Sequence, residues 1–180
     1  EEAGLLLARR GAFGPLVGSD VVKRLVGETR QRDASDNIPD FADVIRRESL
    51  SLAIDQMVHF GHWVTPAWAP KRFDTHFFLT CAPKDQLVAL DEAESAQGHW
   101  RTPRRVLEET AAGKRTMVAV TRFTLELLAT WPDTATALAA ARKRNVVTVL
   151  PVLEQPAAGK MLKIPAEAGY LRSELPFENR

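Results

Sequence analysis

Two adjacent carboxylates, Glu1 and Glu2, open the chain, and Gly4 follows them before a run of leucines. Gly4 can take the left-handed conformation that closes a helix, so the acidic pair is expected at a helix C-terminus. There the two acids repel each other and oppose the helix dipole, at roughly 0.3–1 kcal/mol each. Clustered carboxylate oxygens suit a hard divalent cation. A metal site and a solvated helix end are both open at this point.

A second group with the chemistry to bind a ligand is the cationic pair Lys71 and Arg72. Ammonium and guanidinium groups form strong charge-assisted hydrogen bonds to phosphate, and a solvated strand end explains the pair equally well. His59 and His62 are not a convincing metal pair, because residues three apart on a regular strand point to opposite faces. With one cysteine and four scattered histidines, a structural zinc site is not expected.

Alternating strands and helices must position these residues. Apolar patterning and turn residues predict strands at 5–7, 59–64, 73–81, 97–100, 146–150 and 161–164. Caps and helical spacing predict helices at 20–26, 40–52, 103–107, 117–131 and 133–144. Residues 19–57 read as a helical insertion and residues 145–180 as a C-terminal extension. In strand 73–81, Asp74, His76 and Phe78 are expected on one face, and the phenylalanines in the core.

Composition indicates an ordinary globular chain with one core. The 180 residues are 45% hydrophobic and 26% charged, and 24 basic residues nearly balance 23 acidic ones. This balance argues against a nucleic-acid partner. No apolar run reaches the length of a membrane span, so no membrane partner is expected. The single cysteine, Cys81, lies in an apolar run where a buried side chain is expected, and a cytoplasmic location fits.

Four segments, in order, resemble the Nudix hydrolase superfamily. The first is Glu1-Glu2-Ala3-Gly4-Leu5, which matches the last five positions of the Nudix box. The second joins Trp63-Val64-Thr65-Pro66 to Arg72-Phe73-Asp74-Thr75-His76-Phe77-Phe78, and it resembles the peroxisomal coenzyme A diphosphatase (nudix motif 19) branch and its bacterial relatives. The third comprises Glu94, Trp100 and Pro103, and the fourth is the helix around 121–128. The chain is therefore predicted to begin inside the Nudix box.

The resemblance implies an α/β fold: a Nudix-type α/β/α sandwich with a mixed sheet, without its N-terminal part, as one partial domain over 1–180. It implies that Glu1 and Glu2 ligate Mg²⁺ or Mn²⁺, with Glu2 catalytic. It also implies that Glu94 is an extra ligand or general base, a role that Asp91 and Glu92 could equally take. Lys71 and Arg72 would face the substrate.

The function implied is metal-dependent hydrolysis of a diphosphate bond in a nucleotide-type substrate, with coenzyme A or acyl-CoA as the best candidate. Hard cations neutralise the phosphates and lower the pKa of an attacking water. Only the end of the box lies within this sequence. A catalytically incomplete Nudix-fold module that binds nucleotides or CoA is therefore the alternative. A homodimer is a further expectation, because the insertion at 19–57 could form a dimer surface or a substrate cap.

Overall fold

The computed structural model describes residues 5–31, 41–86, 100–156 and 159–177. Within these ranges the helices are α1 (Ser19–Gln31), α2 (Phe41–Arg47), α3 (Pro103–Ala111), α4 (Ala119–Leu128) and α5 (Thr134–Lys143). The strands are β1 (Ala8–Arg10), β2 (Leu50–Leu52), β3 (Val58–Val64), β4 (Asp74–Leu79), β5 (Thr148–Val149), β6 (Val152–Glu154), β7 (Met161–Lys163) and β8 (Glu174–Pro176). This content confirms the α/β class, and the sandwich arrangement stays a prediction. The chain divides into two compact units, Glu1–Met57 with Thr80–Trp100 and Val58–Leu79 with Arg101–Arg180.

The first unit is built on the antiparallel pair β1 and β2, in which Ala8 lies opposite Leu52. We expected Leu50 and Leu52 at the end of a helix, but they form β2. The reason is Ser49, whose φ of 52° takes the chain out of the helical conformation. The strand expected at 5–7 likewise begins later, at Ala8. The residues buried together here are Ala8, Val17, Leu25 and Leu50.

A buried glutamine ties the first unit together. The Gln86 side-chain amide donates to the carbonyls of Leu6 (2.9 Å) and Val17 (2.8 Å), and its oxygen accepts from the Leu6 N–H at 2.7 Å. These bonds give partners to one backbone N–H and two backbone carbonyls, so the buried amide is stabilising. Cys81, expected to be buried, is exposed, because it follows the end of β4.

The second unit contains a mixed three-stranded sheet in the order β4-β3-β5. β3 runs antiparallel to β4 and parallel to β5. A β-bulge between His59 and Gly61 shifts the register of β3. Because the bulge inserts one extra residue, Phe60 and Trp63 are both buried although three positions separate them. The strands predicted at 59–64 and 73–81 are confirmed, with slightly different ends.

Helices α3, α4 and α5 belong to the same unit as this sheet. Thr102 caps α3 by accepting from the Arg105 N–H, and Asp133 caps α5 by accepting from the Thr136 N–H at 2.7 Å. The helix predicted at 117–131 is confirmed as the shorter α4. Phe123 of α4 packs on Trp63, and Ala141 of α5 packs with Phe60. The sheet is thus held by a core on one face.

The C-terminal strands form a separate antiparallel sheet in the order β6-β7-β8. Its Leu175 packs, with Ile164 just after β7, in the same cluster as Trp63. Arg144, just after α5, donates to the backbone carbonyls of Phe60 (3.2 Å), Gly169 (2.8 Å) and Ala168. The long-range bonds of this one side chain join β3 to the turn before β8. None of the helices in the described ranges is long and apolar enough to cross a membrane.

Candidate functional site

The site residues predicted from the sequence fall into two groups. Glu1, Glu2 and Glu94 lie outside the described residues, as do Asp91 and Glu92 and most of the strand predicted at 97–100. Lys71 and Arg72 lie in the connection between β3 and β4. The structure therefore informs the substrate-binding part of the prediction, and the metal ligands stay predictions.

The connection between β3 and β4 is held by Thr65. Its N–H donates to the Phe73 carbonyl at 2.9 Å, and its hydroxyl accepts from the Phe73 N–H at 3.2 Å. The Arg72 Nε also donates to the Thr65 carbonyl at 3.0 Å. Pro66 cannot extend the strand, because it has no N–H. The pairs Thr65-Pro66 and Arg72-Phe73 thus lie at the two ends of one loop and are hydrogen-bonded to each other. Arg72 is held there by its bond to Thr65.

Lys71 and Arg72 are both exposed in this loop. The Lys71 Nζ lies 5.0 Å from the centroid of the Phe73 ring, a cation–π arrangement. Phe73 itself is 54% exposed and Phe78 is 48% exposed. The expectation that these two rings lie in the core was therefore wrong. Among the described residues, neither cation has a carboxylate partner. Two exposed cations in one short loop, without a carboxylate partner among the described residues, can bind an anionic group.

Three histidines and an aspartate lie together on the sheet beside this loop. His62 Nε2 is 2.5 Å from Asp74 Oδ1, and His62 Nδ1 is 2.8 Å from Thr148 Oγ1 of β5. The rings of His62 and His76 stack with centroids 4.0 Å apart. The His76 Nδ1 is also 3.1 Å from the His59 Nε2.

The expectation that His59 and His62 point to opposite faces was wrong. The bulge between His59 and Gly61 inserts one residue, so both rings contact His76. The pairing of His62 with His76 then places Asp74 on the same face of β4. The Asp74-x-His76 spacing was the available signal, because residues two apart on a strand share a face. The spacing alone does not give the register between β4 and its partner strand β3, on which the cluster also depends.

His62, Asp74 and His76 each offer one ligand atom, and these atoms lie within 4.8 Å of one another. Two imidazoles and a carboxylate form a common donor set for Zn²⁺ and related ions. Mg²⁺ and Mn²⁺ favour oxygen ligands, which the predicted set of Glu1, Glu2 and Glu94 would supply. The described residues thus offer one mixed nitrogen and oxygen donor set, and the oxygen-only set of glutamates stays a prediction.

Over 74 residues, the chain is 30% identical to a Caenorhabditis elegans protein named "Putative nudix hydrolase 7". The similarity covers 40% of this chain and 25% of that protein, so the chain spans about a quarter of its relative's length. No family model matches the chain. No solved structure matches it significantly. The partial similarity supports a relationship to the Nudix hydrolases at the level of the superfamily.

Proposed function

We propose that this chain is part of a Nudix-type diphosphatase that uses Mg²⁺ or Mn²⁺ and cleaves a diphosphate bond in coenzyme A or acyl-CoA. The observation that carries the proposal is the loop closed by Thr65, in which Arg72 is fixed and Lys71 is exposed. The loop has the sequence that resembles the coenzyme A diphosphatase branch. The partial similarity to the protein named "Putative nudix hydrolase 7" supports the superfamily part of this proposal.

In this proposal Lys71 and Arg72 bind the substrate phosphates. Arg72 uses Nε for the Thr65 carbonyl, which leaves the two terminal guanidinium nitrogens for a bidentate contact with phosphate oxygens. A guanidinium already held at one nitrogen loses less conformational entropy on binding than a free one. Lys71 adds a second positive charge in the same loop. Together they orient the diphosphate for attack.

Glu1 and Glu2 ligate the cation, Glu2 is catalytic, and Glu94 acts as an extra ligand or as the base that accepts a proton from water. This donor set fits the cation by its chemistry, since carboxylate oxygens are the ligands that Mg²⁺ and Mn²⁺ prefer. When bound, the cation neutralises phosphate charge and lowers the pKa of its water ligand. The fold proposed with this activity is the Nudix α/β/α sandwich with a mixed sheet.

The substrate is a small nucleotide-type molecule, with no nucleic-acid or membrane partner. The proposal also includes a cytoplasmic location for the protein and its assembly as a homodimer. The alternative is a non-catalytic Nudix-fold module that binds nucleotides or CoA through the same cations. The two differ in turnover and agree in binding, so a hydrolysis assay separates them.

The test is hydrolysis by the full-length protein with Mg²⁺ or Mn²⁺, using coenzyme A, ADP-ribose and NADH as substrates. We expect turnover of coenzyme A, its loss in Glu2→Gln, and unchanged activity in Glu167→Gln, an exposed control. Circular dichroism checks that each variant is folded. Binding of coenzyme A without hydrolysis would establish the alternative module. Full activity of Glu2→Gln would remove that residue from the site.

A further inference from the structure

We propose that the exposed face of β3 and β4 binds a transition-metal ion of the Zn²⁺ class through His62, Asp74 and His76. Among the described residues, these three side chains bring one ligand atom each within 4.8 Å of the others. The ligands of this site are different residues from the carboxylates proposed for diphosphate hydrolysis. Its existence does not depend on that activity.

The donor types select the ion. Imidazole nitrogen is a borderline ligand that favours Zn²⁺, Ni²⁺ and Cu²⁺, whereas Mg²⁺ and Ca²⁺ favour oxygen ligands. Two histidines and one carboxylate leave a fourth tetrahedral position for water or another ligand. His59 offers an additional donor beside the cluster, since its Nε2 lies 3.1 Å from the His76 Nδ1.

Thr148 of β5 contacts the His62 ring at the nitrogen that does not face Asp74. Its Oγ1 lies 2.8 Å from Nδ1, on the side of the ring opposite Asp74. When Nδ1 donates its proton to this hydroxyl, the Nε2 lone pair faces the Asp74 carboxylate at 2.5 Å. In that tautomer Nε2 is available as a metal ligand. Oxygen partners of this kind orient metal-binding histidines and fix their tautomer.

Metal binding requires a small rearrangement of the side chains. Ligand bonds of about 2.0–2.1 Å at tetrahedral angles separate the ligand atoms by about 3.3 Å, so His62 Nε2 and Asp74 Oδ1 must move apart. The parallel rings of His62 and His76 must also tilt to direct their lone pairs at one point. The Asp74 side chain is 66% exposed and the His62 side chain 18%, which gives the ion access and leaves Asp74 free to turn.

The competing explanation is a histidine–aspartate hydrogen bond on a solvated sheet face that binds no ion. Titration of the metal-free full-length protein with Zn²⁺, against a chromophoric chelator, separates the two. We expect one Zn²⁺ per chain whose binding is lost in the double variant His62→Gln/His76→Gln. Asp74→Asn should weaken it strongly. Thr148→Val, which removes only the outer partner, should weaken it by about tenfold.

Three controls make the assignment specific. Asp85→Asn removes an exposed carboxylate outside the hairpin, and His99→Gln removes the remaining histidine of the chain; both should keep full Zn²⁺ affinity. Glu2→Gln should also keep it, which distinguishes this site from the proposed diphosphatase site. As a second readout, Zn²⁺ should raise the melting temperature of the wild type and not of the double variant. Wild-type affinity in the folded double variant, or no stoichiometric binding by the wild type, would overturn the proposal.

Discussion

The Arg72 Nε donates a hydrogen bond to the carbonyl of Thr65 at 3.0 Å, across the opening of the β3–β4 connection. The same threonine accepts from the Phe73 N–H through its hydroxyl. One residue at the end of β3 therefore fixes both the backbone and the side chain at the start of β4. This arrangement gives a structural reason for Thr-Pro and Arg-Phe to occur together in the sequence.

If the proposed diphosphatase function holds, replacing Arg72 by Lys should raise the KM for coenzyme A roughly tenfold with a smaller effect on kcat, because lysine keeps the charge and loses the bidentate geometry. Steady-state kinetics of the full-length enzyme measure both constants. Arg104→Lys, an exposed substitution on α3, is the matched control. An unchanged KM in Arg72→Lys would show that the guanidinium does not bind substrate.

Replacing Tyr170 by Phe should destabilise the second unit by about 1–3 kcal/mol, because the Trp63 indole N–H loses its acceptor and stays buried. In the native chain this N–H donates to the Tyr170 hydroxyl at 2.8 Å, and Trp63 is 6% exposed. A Cβ at Gly61 would lie only 3.0 Å from that hydroxyl, so Gly61 makes room for the contact. Urea unfolding measures the change.

A double-mutant cycle with Trp63→Phe supplies the control for this bond. If the hydrogen bond accounts for the effect, Tyr170→Phe should cost much less when Trp63 is already replaced. Equal costs in the two backgrounds would mean that the phenol hydroxyl acts elsewhere.

Replacing Gln86 by Leu should destabilise the first unit by roughly 2–4 kcal/mol, because the partly buried backbone groups of Leu6 and the buried carbonyl of Val17 lose their partner. Amide hydrogen exchange can follow the loss, since the protection of Leu6 depends directly on this side chain. The exposed neighbour Lys84 gives the control Lys84→Met, for which we expect no change. Native-like protection in Gln86→Leu would mean that solvent or other groups replace the amide.

The pH dependence of stability should report the ion pairs of Glu109. A hydrogen bond from Arg115 lowers the pKa of Glu109, and the charges of Arg115, Arg105 and Arg101 lower it further against the opposing effect of burial. Since the folded state binds the proton less tightly than the unfolded state, the stabilisation is present above the unfolded-state pKa. It is lost as the pH falls through the lower folded-state value.

The measurement compares the free energy of unfolding of the wild type and Glu109→Gln between pH 7 and pH 3. The wild type should be the more stable at pH 7, and the difference should shrink on acidification below about pH 4.5, the ordinary range for glutamate. Glu108→Gln, on the exposed side of α3, should show a smaller difference. A gap that widens at low pH would contradict the sign of the shift.

Capping residues and the alternation of side chains made several helices and strands of this fold predictable from the sequence. Thr102 with Pro103, and Asp133, mark the starts of α3 and α5 because a cap satisfies free N–H groups within one turn. Alternating side chains likewise identify β3 and β4. Strands β6 and β8 were not predicted, because each has three residues and forms only beside β7.

The candidate metal cluster was missed for a related reason. Whether His59 and His62 lie on the same face of β3 depends on the bulge between His59 and Gly61. The bulge in turn depends on pairing with the partner strand. The Thr148 contact adds a residue that lies 86 positions from His62, beyond the reach of any local pattern. The structure places Lys71 and Arg72 in solvent in the β3–β4 connection, and their role in substrate binding stays a prediction.

The parallel pairing of β5 with β3 has a consequence for synthesis of the chain. β3 and β4 leave the ribosome first, whereas Thr148 and Val149, which pair with His62 and Trp63, emerge after α3, α4 and α5. Until β5 pairs with it, the free edge of β3 in the nascent hairpin has unpaired backbone groups that another extended polypeptide can bind. Slow translation before residue 148 should therefore favour aggregation, and binding of a chaperone to this edge should suppress it.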